Sequence, residues 1–218
     1  MSSKTDVALP LDKLSLNLIK QVEGSPSPER RKRTYVVLVS TGRISILQLI
    51  YLRCFELAKS ALTSRRILCD WRLHNLISAE HRVAMCQLAC KSSEFIMTDP
   101  WEAGQDSYQR TLTVLSRIKT AISGGSLAFT DPMVMLVCGS DLLESFSTPG
   151  VWIPEQVGTI CRDFGLVCVR RGGQDVEKII AGDDILNEYK KNIRVVDEVV
   201  PNGISSTGLR DCISKGCQ

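Results

Sequence analysis

The run PNGISSTGLRDCI, residues 201–213, carries the densest set of groups that could handle an anion. It follows an apolar, strand-like stretch and opens a helical pattern. Ser205, Ser206 and Thr207 supply hydroxyls and backbone N–H groups where a helix leaves its first donors unsatisfied. Arg210 lies about one turn further along, and its guanidinium fork can turn back to the same place. That is phosphate chemistry; plain capping of the helix by serine is the alternative use of the same residues. A second turn, VCGSDLLE, puts Gly139 and Asp141 directly after an apolar run. The glycine permits close backbone approach. The aspartate can accept from a ribose hydroxyl, face a metal, or cap the following helix. Trp101 in DPWEA and Trp152 in TPGVWIPE follow turn residues, where an indole can stack on a flat ring or pack as a satellite of the core. A third turn, STGR at residues 40–43, begins like a phosphate loop but runs on into the apolar ISILQLI.

Other chemistries are poorly supplied. His74 and His81 are the only histidines, and no Ser-His-Asp or Cys-His arrangement is visible. The nine cysteines are odd in number and form no C-x-x-C. Cys86 and Cys90 lie one helical turn apart, with only the two histidines to join them as soft ligands. The cysteines are expected to be small buried hydrophobes in a reducing compartment, and no resident metal site is expected.

The elements that must hold these turns follow from periodicity. Strands are expected at 35–40, 95–98, 134–138, 166–170 and 194–199. Helices are expected at 46–62, 78–90, 107–122, 154–164, 175–180 and 206–214. Alternation of this kind predicts an α/β fold, a mostly parallel sheet with helices on both faces. Ligands bind such sheets at the carboxyl ends of the strands. That rule selects the turns at residues 40–42, 98–102, 139–141 and 202–207.

A chain of 218 residues fits one large α/β domain or two small ones. Hydrophobic residues make up 44% and charged residues 23%, and the net charge of +3 is too small to argue for nucleic acid. No apolar run reaches membrane-spanning length, and the start lacks a signal-peptide core, so a cytoplasmic or nuclear protein without membrane attachment is expected. Residues 1–33 read as a flexible leader. Their basic cluster, Arg30 to Arg33, suits a solvated tail or a weak nuclear-import signal.

Taken together, CGSDLLESF, TPGVWIPEQ, ICRDFGLVCVRRGGQDVEKII, VVDEVVPN and ISSTGLRDCISKG resemble the nicotinamide/nicotinate mononucleotide adenylyltransferases in their eukaryotic, plant-like form. LISAEHR and DPWEA followed by YQRTLTVLSRIK extend the resemblance, which covers most of residues 76–216, the first strand and the helix after it. It implies a Rossmann-like nucleotidyltransferase fold over residues 34–218. It implies ATP and a nicotinamide or nicotinate mononucleotide as substrates, with a divalent cation, Mg, accompanying ATP. The mononucleotide phosphate would attack the α-phosphorus directly, so positioning and charge stabilisation would do the catalysis. Carried over by matching position, Trp101 and Trp152 would hold the nicotinamide ring, with Val151 beside them. Gly42, Arg43, Gly139 and Asp141 would touch nucleotide atoms. Glu198 and Asn202 would line the adenosine side. Ser205, Ser206, Thr207 and Arg210 would cradle the ATP phosphates. Homo-oligomerisation, as against a monomer, stays open.

The chain departs from the family in three places. The family pattern after the first strand is T-G-S-F-N-P-P-T-x-M-H-L-R, whereas this chain reads TGRISILQLIYLR. Tyr51 occupies the position of the family's histidine, so no catalytic residue is assigned there. The family's second strand and the lysine loop after it are expected to be missing around residues 66–76, and the terminal helix beyond Gly216 is expected to be missing too. These departures imply weak activity or none. The rival readings are a nucleotide-binding paralogue without turnover and a non-catalytic interaction subunit.

The first two departures share a signature. ISILQLI can be encoded ATT TCA ATC CTC CAA CTT ATA, which from its third base reads F-N-P-P-T-Y. RILCDWRLH can be encoded so that its second base begins G-F-C-V-I-G-G-Y. The first string fits the family pattern, and the second reads as a strand of the kind the family has there. Sequencing of the genomic DNA and transcript across codons 43 to 76 is expected to find both in a shifted frame. Codons that spell neither string would mean ordinary divergence.

Overall fold

The computed structural model describes residues 36–40, 67–70, 79–124 except 92, 94 and 95, 132–170 and 173–197. Six strands form one sheet: β1 Val36–Ser40, β2 Ile67–Asp70, β3 Ile96–Asp99, β4 Met133–Gly139, β5 Leu166–Arg170 and β6 Ile193–Asp197. Their order is β3-β2-β1-β4-β5-β6, and every neighbouring pair is parallel. This is the doubly wound order, with its topological switch between β1 and β4. Six helices accompany it among the described residues: α1 Ala79–Cys90, α2 Thr111–Gly124, α3 Ser140–Ser145, α4 Pro154–Asp163, α5 Val176–Ala181 and α6 Asp184–Glu188.

The strands are apolar runs because both faces of the sheet are covered. Val134 to Cys138 of β4 and Leu166 to Val169 of β5 are all buried. Against them α2 presents Val114, Leu115, Ile118 and Ile122, each fully buried at helical spacing. Burying a side chain of this size stabilises the fold by about 1.5–3 kcal/mol. α4 adds Val157, Ile160 and Cys161. It starts on Pro154, whose missing N–H would have been an orphan there in any case. Asp175 and Asp183 cap α5 and α6 by accepting from Lys178 N–H at 3.0 Å and Leu186 N–H at 2.9 Å.

The α/β class and parallel sheet stand as expected, and so do the strands at 36–40, 96–99, 133–139 and 166–170 to within a residue or two. Three details differ. First, the second strand is present. β2 pairs Leu38 with Ile67 on one side and Ile67 with Ile96 on the other. Ladder hydrogen bonding uses backbone groups, so the short run ILCD suffices where the family residues are altered. Second, α2 begins four residues later than the periodicity suggests. Gln109 folds its amide onto Ser107, and Arg110 O becomes the first acceptor for Thr113 and Val114 N–H. Third, the short helices α3 and α6 lie in stretches too brief to show a period. The helices expected at 46–62 and 206–214, residues 198–199 of the last strand, and the leader at 1–33 lie outside the described residues.

One glycine has a strict requirement. Gly165 turns the chain from α4 into β5 at φ +81°, with its N–H on Ile160 O at 2.8 Å and its O on Leu136 N–H at 3.0 Å. A Cβ there would meet Asn192 O at 3.0 Å and Met135 Cε at 3.2 Å. Gly150 has a similar φ of +78° but open space around it. Gly150→Ala should therefore cost only backbone strain, about 1 kcal/mol, whereas Gly165→Ala should cost about 2–3 kcal/mol. Urea unfolding midpoints at unchanged m-value check this, and equal losses would refute the crowding at Gly165.

Candidate functional site

The carboxyl ends of the strands lie along one edge of the sheet, and three described groups of site residues sit there. The first follows β3. Asp99 is its last residue, with a fully buried side chain. One carboxylate oxygen accepts from the backbone N–H of Trp101 at 3.1 Å. The other accepts from Arg117 Nη1 of α2 at 2.5 Å. The Arg117 guanidinium also lies over the Trp101 ring, 4.7 Å from its centroid. The Trp101 carbonyl takes Gln105 Nε2 at 3.0 Å, and a 3₁₀ turn over Glu102–Gly104 continues the chain, with Glu102 buried. Trp101 is thus gripped through its backbone and covered on a face by a cation, while part of the indole stays exposed.

The second group follows β4. Gly139 ends the strand with extended backbone, φ −83° and ψ 164°, and Ser140 opens α3. Ser140 is fully buried and hydrogen-bonded to the Gln174 side-chain oxygen, and Gln174 Nε2 in turn donates to Glu144 Oε2 at 3.1 Å. Asp141 is exposed at the second residue of the helix. It is not the cap: that position belongs to Gly139, and no side chain bonds there.

The third group is reached after α3. Gly150 makes the turn, Val151 is 56% exposed, and Trp152 packs half-buried against the core. Trp152 Nε1–H donates to Ser145 Oγ at 3.0 Å, and Phe146 meets the indole edge-to-face, 4.7 Å between centroids at 76°. Both tryptophans are satellites of the core, each half-buried.

Gly42, Arg43, Tyr51, Glu198, Asn202, Ser205, Ser206, Thr207 and Arg210 lie outside the described residues. Arg170 at the end of β5 binds Asp197 at 2.7 Å, the residue before Glu198, and Glu177 of α5 at 2.7 Å. Cys86, Cys90, Cys138, Cys161 and Cys168 are buried free thiols. Burial, with a smaller push from Asp183, raises Cys161 to about 12, and a hydrogen bond with Cys168 that favours the protonated thiol, then burial, raises Cys138 well above the usual thiol range.

The cytidylyltransferase-like family matches residues 61–211. The nicotinamide/nicotinic acid mononucleotide adenylyltransferase of Arabidopsis thaliana is 50% identical over 97% of this chain and 89% of its own length. Its namesake in Oryza sativa subsp. japonica is 50% identical over 96% of this chain and 86% of its own length. The chain belongs to the mononucleotide adenylyltransferase family. The Bos taurus form, 31% identical over 86% of this chain and 83% of its own length, extends the match to animals.

The described candidates Trp101, Gly139, Asp141, Val151 and Trp152 were readable as candidates from the sequence, whereas the partners of their turns were not. Arg117 lies 18 residues from Asp99 and Gln174 lies 34 from Ser140. No spacing rule links partners brought together only by the sheet. Among the described residues, no helix is long and apolar enough to cross a membrane.

The Arg170 clamp makes a pH prediction. Arg170 hydrogen bonds first, and then Glu177's own backbone N–H, pull the Glu177 carboxyl from its ordinary 4.5 to about 2. A depressed carboxyl stabilises the fold above its ordinary value, and that contribution fades as pH falls toward the depressed one. Glu177→Gln should flatten the stability profile between pH 4.5 and about 2. Because the pair is exposed, the effect should be small and shrink in high salt. Thermal unfolding of both proteins across this range at two salt concentrations checks it; an unchanged profile would contradict the clamp.

Proposed function

We propose that the chain binds ATP and nicotinamide or nicotinate mononucleotide along the carboxyl edge of its sheet. It transfers AMP from ATP to the mononucleotide and releases pyrophosphate. What carries this reading is 50% identity to mononucleotide adenylyltransferases across 97% of the chain. In this reading Trp101 and Trp152, with Val151, receive the nicotinamide ring. Gly139 and Asp141 hold nucleotide atoms, the aspartate through a ribose. Gly42 and Arg43 touch nucleotide atoms, Glu198 and Asn202 face the adenosine, and Ser205, Ser206, Thr207 and Arg210 take the ATP phosphates. Residence in the cytoplasm or nucleus belongs to the same proposal, supported by the absence of a paired cysteine framework from the sequence.

The donors present fit a cation that arrives with its nucleotide. Mg prefers one or two carboxylates plus phosphates and keeps several waters, and exposed Asp141 is one such carboxylate at the β4 edge. When bound, the ion supplies charge neutralisation on the triphosphate. The protein's own residues orient the two nucleotides so that the attacking phosphate lies in line with the α-phosphorus.

A second reading rests on Tyr51, which stands where the family has histidine. A neutral phenol of different shape does not replace an imidazole that stabilises a transferring phosphate. On this reading the chain binds nucleotides and turns over slowly or not at all. The two readings separate in one experiment, comparing wild type, Tyr51→His and a graft of the family loop over residues 43–51 for pyrophosphate release. Tyr51→His alone should recover little, because an aim error of about 1 Å can cost on the order of a hundredfold. The graft should recover more. Robust turnover by wild type would sink the second reading, and a point variant as active as the graft would show that the loop already has the right shape.

A further inference from the structure

We propose that Arg117 is a positioning residue for the mononucleotide, acting through Trp101, and that Asp99 sets the charge balance of the ring shelf. The inference rests on the reading of Trp101 as a surface that receives the pyridinium ring. It is carried by the three-way contact of Asp99, Trp101 and Arg117.

The geometry divides the work. Asp99 is fully buried at the end of β3, so its carboxylate is fixed by the sheet. One oxygen holds the Trp101 backbone at 3.1 Å and the other holds the Arg117 fork at 2.5 Å. Arg117 comes from the second turn of α2, in a stretch where Leu115 and Ile118 are fully buried and anchor the helix to the core. Its guanidinium sits 4.7 Å from the Trp101 ring centroid, and the side chain as a whole is only 15% exposed. The indole is therefore held from two directions: its backbone by Asp99 and its face by Arg117. A ring so placed is oriented before a ligand arrives, and the ordering entropy of the indole is not charged against binding.

The charges matter as much as the shape. A nicotinamide mononucleotide carries a cationic pyridinium. An unpaired guanidinium behind the indole would repel such a ring stacked in front of it. Asp99, in contact with the same guanidinium, cancels most of that field, so the shelf presents nearly neutral backing to a cationic ring. Nicotinate mononucleotide carries the same pyridinium and an added carboxylate, so it is less sensitive to a cation behind the shelf. The pairing of Asp99 with Arg117 thus bears on discrimination between the two mononucleotides as well as on affinity.

The test reads binding, so it does not depend on turnover. Calorimetry with the full chain measures nicotinamide mononucleotide, nicotinate mononucleotide and ATP separately, with folding checked by circular dichroism. Arg117→Gln should weaken both mononucleotides by about tenfold and leave ATP within about twofold. Arg117→Lys, which keeps a cation but loses the fork, should recover part of that loss. Asp99→Asn should weaken nicotinamide mononucleotide about fivefold more than nicotinate mononucleotide, because the cation is then uncompensated. If either single variant fails to fold, Asp99→Asn with Arg117→Gln removes both charges. That double variant should weaken both mononucleotides without changing their ratio. Trp101→Ala is the reference. If it abolishes mononucleotide binding while Arg117→Gln, or the double variant in its place, does not weaken it, the positioning role is overturned and the shelf stands. If Trp101→Ala leaves mononucleotide binding intact, or wild type binds neither mononucleotide, the shelf reading itself fails and takes this inference with it. An Asp99→Asn protein that loses both mononucleotides equally, or a double variant that shifts their ratio, would overturn the charge-balance role.

Discussion

Pairing of β1 with β4 is the constraint on which the rest depends. Val36 lies beside Met133 and Val39 beside Leu136, so two segments nearly a hundred residues apart become neighbours at the centre of the sheet. Parallel strands cannot be joined by a tight turn, so the chain between them must cross over and return. The two halves wind away in opposite directions from this seam, toward β3 on one side and β6 on the other. A crevice at the carboxyl ends follows from that reversal, without any contribution from the side chains that later occupy it. The register also decides what stands beside the crevice. Ser40 closes β1, while β4 continues to Gly139, so the turn carrying Ser140 and Asp141 projects past the end of its neighbour.

At this edge the sheet gives way to polar contacts, and each turn is held by a different one. The β3 turn is anchored by a buried carboxylate, the β4 turn by the Ser140–Gln174–Glu144 chain, and the β5 and β6 ends by Arg170. The anchors differ in strength because they differ in burial. The Asp99–Arg117 pair is nearly closed to solvent, so breaking one partner would leave a buried charge behind. Arg170 is 29% exposed and its partners 63% and 80%, so water and salt screen that clamp. Screening by water and salt is therefore least at the Asp99–Arg117 pair and greatest at the β6 end.

Much of the fold was legible because its signals are local. Runs such as VMLVC and LVCVR announce buried strands, and the spacing of Val114, Leu115, Ile118 and Ile122 announces a helix with one buried face. Candidate site residues were legible where a glycine or tryptophan follows such a run. The partners were not. Arg117 reads as one more polar position on a helix, and Gln174 as a loop residue, until the sheet brings them to Asp99 and Ser140. The loss expected at residues 66–76 was misread as the loss of a strand for a related reason. Side-chain identity carried the family match, but backbone pairing is indifferent to it, and ILCD takes the central place between β1 and β3.

That indifference separates two properties that usually travel together. The sheet is a sum over many buried contacts, and replacing a few of them leaves most of the sum intact. Adenylyl transfer needs a handful of groups aimed within a fraction of an ångström, and it falls steeply when one is displaced. An altered stretch such as residues 43–51 is therefore weighed on two scales. On the scale of folding it is nine residues set against a core that already includes β3 through β6 among the described residues. On the scale of chemistry, in the proposed reading, it is the segment where Tyr51 stands in place of the histidine that the resemblance implies. Overall identity to the relatives follows the first scale, since it averages over every position. Turnover follows the second, since it depends on the least well aimed group. A chain can thus share half its residues with an enzyme family and inherit its fold and nucleotide edge while its rate is set by a single loop.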